Sequence, residues 1–268
     1  MSTVNTNVGS LMSQKYLRHT LVDMNRTQTR VASGLRVASA LDDASSFAVA
    51  ATFRADIKSY TAVASALSGA KAAASVAVAA GETISVRFED VKAKIIQLAD
   101  ESISAASRTS YQNDLASMVS EVNNYLDQAA YQGANLLGTV GGSANVNVVS
   151  NINASILTIR DNQVGNLSIG VITNAATAST ALSSLATFKT ALDSALANLG
   201  ADIKQVDAQA EFIRQTQEAV TIGLGALVDA DLAKESAALE SLQVKQQLGV
   251  QALGIANQAP QALLGLFR

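Results

Sequence analysis

Hydrophobic positions recur along this chain in alternating steps of four and three. The cleanest run is Val63, Leu67, Ala70, Ala74, Ala77, Gly81, Ile84, Phe88, Val91, Ile95 and Leu98. That spacing is a coiled-coil seam, with small residues in its first half and large ones in its second. At 1.5 Å per residue it predicts a rod roughly 54 Å long. A shorter series follows at Tyr111, Leu115, Met118, Val122, Tyr125 and Ala129. A third runs Leu182, Leu185, Lys189, Leu192, Leu196, Leu199, Ile203, Val206, Ala210, Ile213, Gln217, Val220, Leu224 and Leu227. Helices that each carry a seam must bury those seams against one another, which predicts a long, thin, soluble bundle.

Both ends carry the same step in diluted form. Near the N-terminus it runs through Leu17, Leu21, Met24, Gln28, Val31 and Leu35. Near the C-terminus it runs through Val228, Leu232, Glu235, Leu239, Leu242, Gln246, Gly249, Leu253 and Ala256, with Leu263, Leu266 and Phe267 beyond. Isolated helices with so little apolar surface are marginal, because most helical stability comes from packing. Both ends are therefore expected to wait for a partner. The polar seam residues Gln28, Lys189, Gln217 and Gln246 either specify register or face solvent. Gly81, in mid-seam, reads better as a site of close helix approach than as a hinge.

Between residues 131 and 176 glycines punctuate a polar stretch, and residues 145–149 and 155–161 alternate apolar with polar. This is the only strand signal, and it predicts a short β-hairpin. Ser33-Gly34 and Ala40-Leu41-Asp42-Asp43 interrupt the helical pattern, with Asp42 or Asp43 expected to cap the next helix. Gly223 and Gly225, followed by Asp229 and Asp231, are expected to loosen the chain again. The fold class is mainly α: a long antiparallel coiled-coil helical bundle with a small β-hairpin insert and paired N- and C-terminal helices.

Composition narrows the function. The 268 residues include 49 alanines, and 49% are hydrophobic but only 4% aromatic, so the apolar stock suits close helix packing. A net charge of -3 offers no basic excess for nucleic acid. The longest nearly apolar run is about 10 residues where a membrane span needs about 20, so none is expected, and the start lacks the pattern of a Sec signal. There is no Cys and one His, His19. Thiol chemistry, disulfides and multi-His metal sites are excluded together. No catalytic, cofactor or metal constellation is expected, and hence no enzyme. His19 reads as a solvated or interface side chain. Asp42-Asp43 and Asp229, Asp231 with Glu235 lack the pattern of a calcium loop and read as acids favoured at helix starts.

The local residues resemble bacterial flagellin over nearly the whole chain. Val4-Asn5-Thr6-Asn7 is similar to the family's opening Ile-Asn-Thr-Asn, and Ser33-Gly34-Leu35-Arg36 with Asp42-Asp43-Ala44 to two further elements. Phe53 with Ile57-Lys58 matches another. The end, Ala256-Asn257-Gln258-Ala259-Pro260-Gln261 and Leu266-Phe267-Arg268, is close to Ala-Asn-Gln-x-Pro-Gln and Leu-Leu-Arg. Tyr131-Gln132-Gly133 stands where the family usually has Phe-Asn-Gly. The stretches at residues 229–236 and 245–251 look most like the short flagellins of alpha-proteobacteria.

The resemblance implies a structural subunit exported by a type III system and self-assembled into the extracellular flagellar filament. It implies partners: other copies of the chain, an export chaperone, the filament cap and hook-associated proteins. Residues 1–41 and 229–268 would form the inner terminal-helix domain, assembling through Leu17, Leu21, Met24, Val31, Leu35, Leu232, Leu239, Leu242, Leu253, Leu263, Leu266 and Phe267. Residues 42–228 would form the rod domain, without a large outer variable domain. A hook-filament junction protein shares the terminal pattern and is the nearest alternative. A coiled-coil signalling hairpin is a more distant one, since it has no β insert. The His-Glu-x-x-His motif of protease-bearing flagellins does not occur.

Overall fold

A computed structural model of the chain describes residues 6–138 and 145–265, with side chains through residue 258. The elements in order are α1 (Val8–Ser33), α2 (Ala44–Ala99), α3 (Ala105–Gln128), β1 (Ala130–Tyr131), β2 (Ala134–Asn135), β3 (Val146–Val149), β4 (Ile156–Ile159), α4 (Ala175–Val228) and α5 (Leu232–Gly265). They divide into two compact units, residues 1–55 with 219–268, and residues 56–218.

Side-chain caps set the helix starts. Asp43 rather than Asp42 caps α2, its Oδ1 accepting from the Ser45 and Ser46 amides at 3.0 and 3.2 Å. Asp42 closes the turn before it, accepting from the Ala38 and Ser39 amides. Ser104 caps α3, Asn174 accepts from the Thr177 amide at the start of α4, and Asp231 accepts from the Ala233 and Lys234 amides at the start of α5. Gly223 and Gly225 do not break the chain as the sequence suggested, for α4 continues through both to Val228. A Cβ on Gly225 would stand 2.8 Å from Asp229 Oδ2, so the glycine makes room for that carboxylate. The break falls at residues 229–231, where the chain turns into α5.

In the unit of residues 56–218, α2 and α4 run antiparallel. Gln217 donates to Thr61 Oγ1 at 3.1 Å, and Lys71 pairs with Asp207 at 2.6 Å. Farther along, a Cβ on Gly81 would stand 2.6 Å from Leu196 Cδ2, and the Lys189 ammonium lies 5.6 Å from the Phe88 ring centre. Gly81 thus marks close approach. α3 returns along α2, with Arg87 paired to Glu121 and Lys94 to Asp114. Every position of the α2 seam from Val63 to Leu98 is buried. Leu115, Val122 and Leu126 of α3 and Ala129 just past its end are buried too, while Met118 is half-buried.

Of the fourteen predicted α4 seam positions five are fully buried and nine half-buried. Leu185, Leu192, Leu199, Val206 and Ile213 are buried as the spacing requires, but between them lie Phe188, Ala195 and Asp202. The predicted intermediates Lys189, Leu196 and Ile203 are half-buried. The helix is flanked on two sides. Lys189 and Leu196 meet Phe88 and Gly81 of α2, and Asp202 meets the insert. Each heptad from Leu185 to Ile203 thus carries two buried positions and a half-buried one beside them.

Among the described residues the insert holds two strand pairs, one more than the sequence signalled. β1 and β2 pair Ala130 with Asn135 and Tyr131 with Ala134, across a turn in which Gln132 and Gly133 have φ of 49° and 85°, the type I′ geometry. Two-residue strands leave no alternation to read. β3 and β4 form the expected antiparallel hairpin, Val146 opposite Ile159 and Val149 opposite Ile156, and send Val148 and Ile159 into the core. The chain then returns along α3. Asn123 both donates to the Leu167 carbonyl and accepts from its amide, and Gln112 accepts from the Ile172 amide. Val164, Leu167 and Ile172 are buried beneath this segment.

By length and composition α2 is apolar enough to cross a membrane. Its large seam side chains are instead packed inside the helical unit.

Candidate assembly surface

The other unit is built around the chain termini. Asn7 caps α1 by accepting from the Ser10 amide at 3.0 Å. Gly34 ends it at φ 71°, a conformation that costs a residue with Cβ, its amide donating to the Arg30 carbonyl. The chain then pairs with the end of α4. Leu35 bridges Asp229, the Arg36 and Val37 amides donate to the Val228 carbonyl, and the Ala230 amide donates to Gly34. Val37, Ala50 and Val228 form a small core there, with Leu35, Phe47, Leu224 and Leu227 packed against it. Leu35 therefore belongs to this knot and not to the α1 seam.

α1 and α5 lie antiparallel along each other. Asn7 Nδ2 donates to the Ala256 carbonyl at 2.7 Å, a Cβ on Gly249 would stand 3.3 Å from Leu17, and Arg30 pairs with Glu235 at 3.2 Å. Leu17, Leu21, Met24 and Val31 of α1 face Leu239, Leu242, Gln246, Gly249 and Leu253 of α5, and all nine are only half-buried. On α1 the single buried side chain is Thr27, while Gln28 is exposed. The buried line has drifted by one residue, as 3.6 residues per turn does against a 3.5 repeat. Leu232, the first residue of α5, is 50% exposed and off the seam. Leu263 lies beyond the described side chains, and Leu266 and Phe267 beyond the described residues.

A pair of helices cannot close off a seam from water, and the outer faces are apolar as well. Val8, Leu11, Met12, Tyr16 and Val22 of α1 are each more than half exposed, as are Val244, Leu248, Val250 and Ile255 of α5. His19 is exposed on the outer face of α1. Among the described residues no three or more His, Cys, Asp or Glu gather to hold a metal ion. The acids have structural partners. Hydrogen bonds from the Ser46 hydroxyl and amide hold Asp43 below the usual carboxylate range, and the Ser39 amide does the same for Asp42. The exposed apolar side chains suit this surface to packing.

Comparison with known proteins agrees with this arrangement. Residues 4–141 match the bacterial flagellin N-terminal helical region, and residues 182–267 the bacterial flagellin C-terminal helical region. Flagellin FljO of Caulobacter vibrioides is 34% identical over 273 residues, covering 100% of this chain and 99% of its own. A flagellin of Brucella melitensis is 33% identical over 285 residues, covering both chains fully. The solved structure of Bacillus cereus flagellin aligns with 54% of this chain and 86% of its own, at 16% identity and a TM-score of 0.49. This chain belongs to the bacterial flagellin family, in its short alpha-proteobacterial form, and is a structural, non-enzymatic subunit of the extracellular flagellar filament.

Proposed function

We propose that the terminal unit is the part through which subunits join, and that the helical unit of residues 56–218 is a preformed strut between such joints. On this reading residues 1–41 and 229–268 form the inner domain of the filament and residues 42–228 the rod. Leu17, Leu21, Met24, Val31, Leu239, Leu242 and Leu253 complete their burial only against neighbouring copies. Leu232 joins them from its exposed position, as do Leu263, Leu266 and Phe267. Leu35 supports the knot between the two ends.

The observation that carries this is the contrast in burial: the α2 seam is wholly buried, while the α1 and α5 seams are not. Unburied apolar stripes on paired helices are surfaces that a polymer covers. Before assembly the same stripes would be shielded by an export chaperone, and at the filament ends by the cap and by hook-associated proteins. A chain lacking residues 231–268 tests the reading. It is expected to remain a folded monomer in sedimentation velocity and to form no filaments when seeded. Polymerisation of the truncated chain would refute the assignment.

A further inference from the structure

Lys189 stands at a seam position whose counterparts one heptad either way are Leu182 and Leu196. A charged side chain there gives up apolar burial. Where the repeat calls for a leucine, a cavity of about 370 Å³ opens between α2 and α4. Phe88, Leu182 and Leu185 line it, together with Lys92, Lys189 and Asp193. Phe88 and Leu185 are buried, Leu182 and Lys189 half-buried, and Lys92 and Asp193 exposed. The floor is therefore apolar and the mouth charged.

The charges at the mouth do not balance. Asp193 is taken up by Lys189, whose ammonium lies 2.7 Å from its Oδ2 and 5.6 Å from the Phe88 ring centre. Lys92 pairs with no acid among the described residues. Asp90, two residues before it, pairs with Arg87, and Lys94, two residues after it, turns to Asp114 of α3. Glu89, one turn earlier on α2, forms no ion pair with Lys92. One uncompensated cation thus borders an apolar floor, and low-dielectric walls focus its field.

We propose that this cavity binds an alkyl carboxylate, its head on the Lys92 ammonium and its chain against Leu182 and Leu185. A carboxylate held by an ammonium makes the stronger, charge-assisted kind of hydrogen bond. Two lysines against one aspartate select a single negative charge, because a dianion would turn its surplus toward Asp193. The volume lies near the lower end of small-molecule sites, roughly 300–1,000 Å³, which suits one short chain and not a two-chain lipid. The Lys189 ammonium already covers the Phe88 ring, so a flat aromatic acid has no open face to stack on. The cavity lies wholly within residues 56–218, so it does not depend on how the termini join.

The test titrates octanoate, below its micelle concentration, into the full-length free subunit, followed by amide NMR. Saturable shifts are expected at residues 88–92 and 182–193. Octanamide has the same chain without the charge and is expected to bind at least tenfold more weakly. Lys92→Glu should weaken octanoate at least tenfold, while Lys58→Ala, exposed elsewhere on α2, should leave it unchanged. Lys189→Leu fills the cavity and restores the seam, so it should abolish binding and raise the melting temperature. Circular dichroism of each variant separates a lost site from a lost fold. Absence of saturable binding, shifts confined to α1 and α5, equal binding of octanamide, or full affinity in a folded Lys92→Glu chain would overturn the proposal.

Discussion

Ala154 holds a φ of 61° in the turn between β3 and β4, a backbone region that a Cβ makes unfavourable by roughly 1–2 kcal/mol. Glycine adopts it freely, at some cost in unfolded-state entropy. Ala154→Gly is therefore expected to stabilise the chain by about 0.5–1 kcal/mol, seen as a higher denaturant midpoint with an unchanged slope. A lower midpoint would mean that the turn is not held in this conformation. Burial gives a larger effect of opposite sign. Leu192 and Leu199 are completely buried, and truncating either to Ala should cost about 2–5 kcal/mol. The exposed Ser194 between them is the control, and Ser194→Ala should change thermal unfolding little. Asn198 would be a poor control, because its Nδ2 donates to Asn162 Oδ1 at 2.8 Å and ties α4 to the insert.

At the scale of elements, the long helices were legible and the insert largely was not. Seam spacing located α2, α3 and α4 because burial repeats with the helix turn. It missed Phe188, Ala195 and Asp202 because spacing shows one face, and α4 is gripped on two. The segment after β4 leaves no periodic trace at all. Its main-chain groups bond to Asn123, Gln112 and Asp202, residues far away in sequence. Of these, Asp202 is the most consequential. The residue is 4% exposed, and its carboxylate accepts from the Arg160 amide at 2.9 Å, Nη2 at 2.8 Å and Nε at 3.2 Å. Arg160→Ala strands a buried carboxylate and is expected to cost about 1.5–3 kcal/mol. Asp202→Asn with Arg160→Ala should cost less than the two changes summed, and additive losses in the double-mutant cycle would contradict the coupling.

The surface of α4 carries a pH-dependent element. The Arg214 guanidinium, then the Gln215 amide, hold the Glu211 carboxyl down from 4.5 to about 2. A depressed carboxylate contributes stability above its unfolded pKa and loses it as pH falls through the folded one. The contribution is thus complete above about pH 5 and fades between roughly 4.5 and 2. Carboxyl titration by NMR should show Glu211 protonating well below 4.5, and Arg214→Gln should return it toward 4.5.

Over the whole molecule the two units differ in what they need. The helical unit has its own core, drawing on α2, α3, α4 and the insert. In α1 and the described side chains of α5 only Thr27 is buried. Ordering each residue costs about 1–2 kcal/mol of backbone entropy, and half-buried leucines return little against it. The free subunit should therefore exchange amide hydrogens quickly along α1 and α5, while amides near Leu192 and Ile95 exchange slowly. On the proposed reading neighbouring copies cover the terminal seams in the filament, so folding of the ends and assembly become coupled. Protection of the α1 and α5 amides should rise by orders of magnitude on polymerisation, with little change in the helical unit. Helix content measured by circular dichroism should rise in step with it. Full protection of α1 and α5 already present in the monomer would show that the pair is stable by itself, and that the filament joins subunits which are complete before they meet.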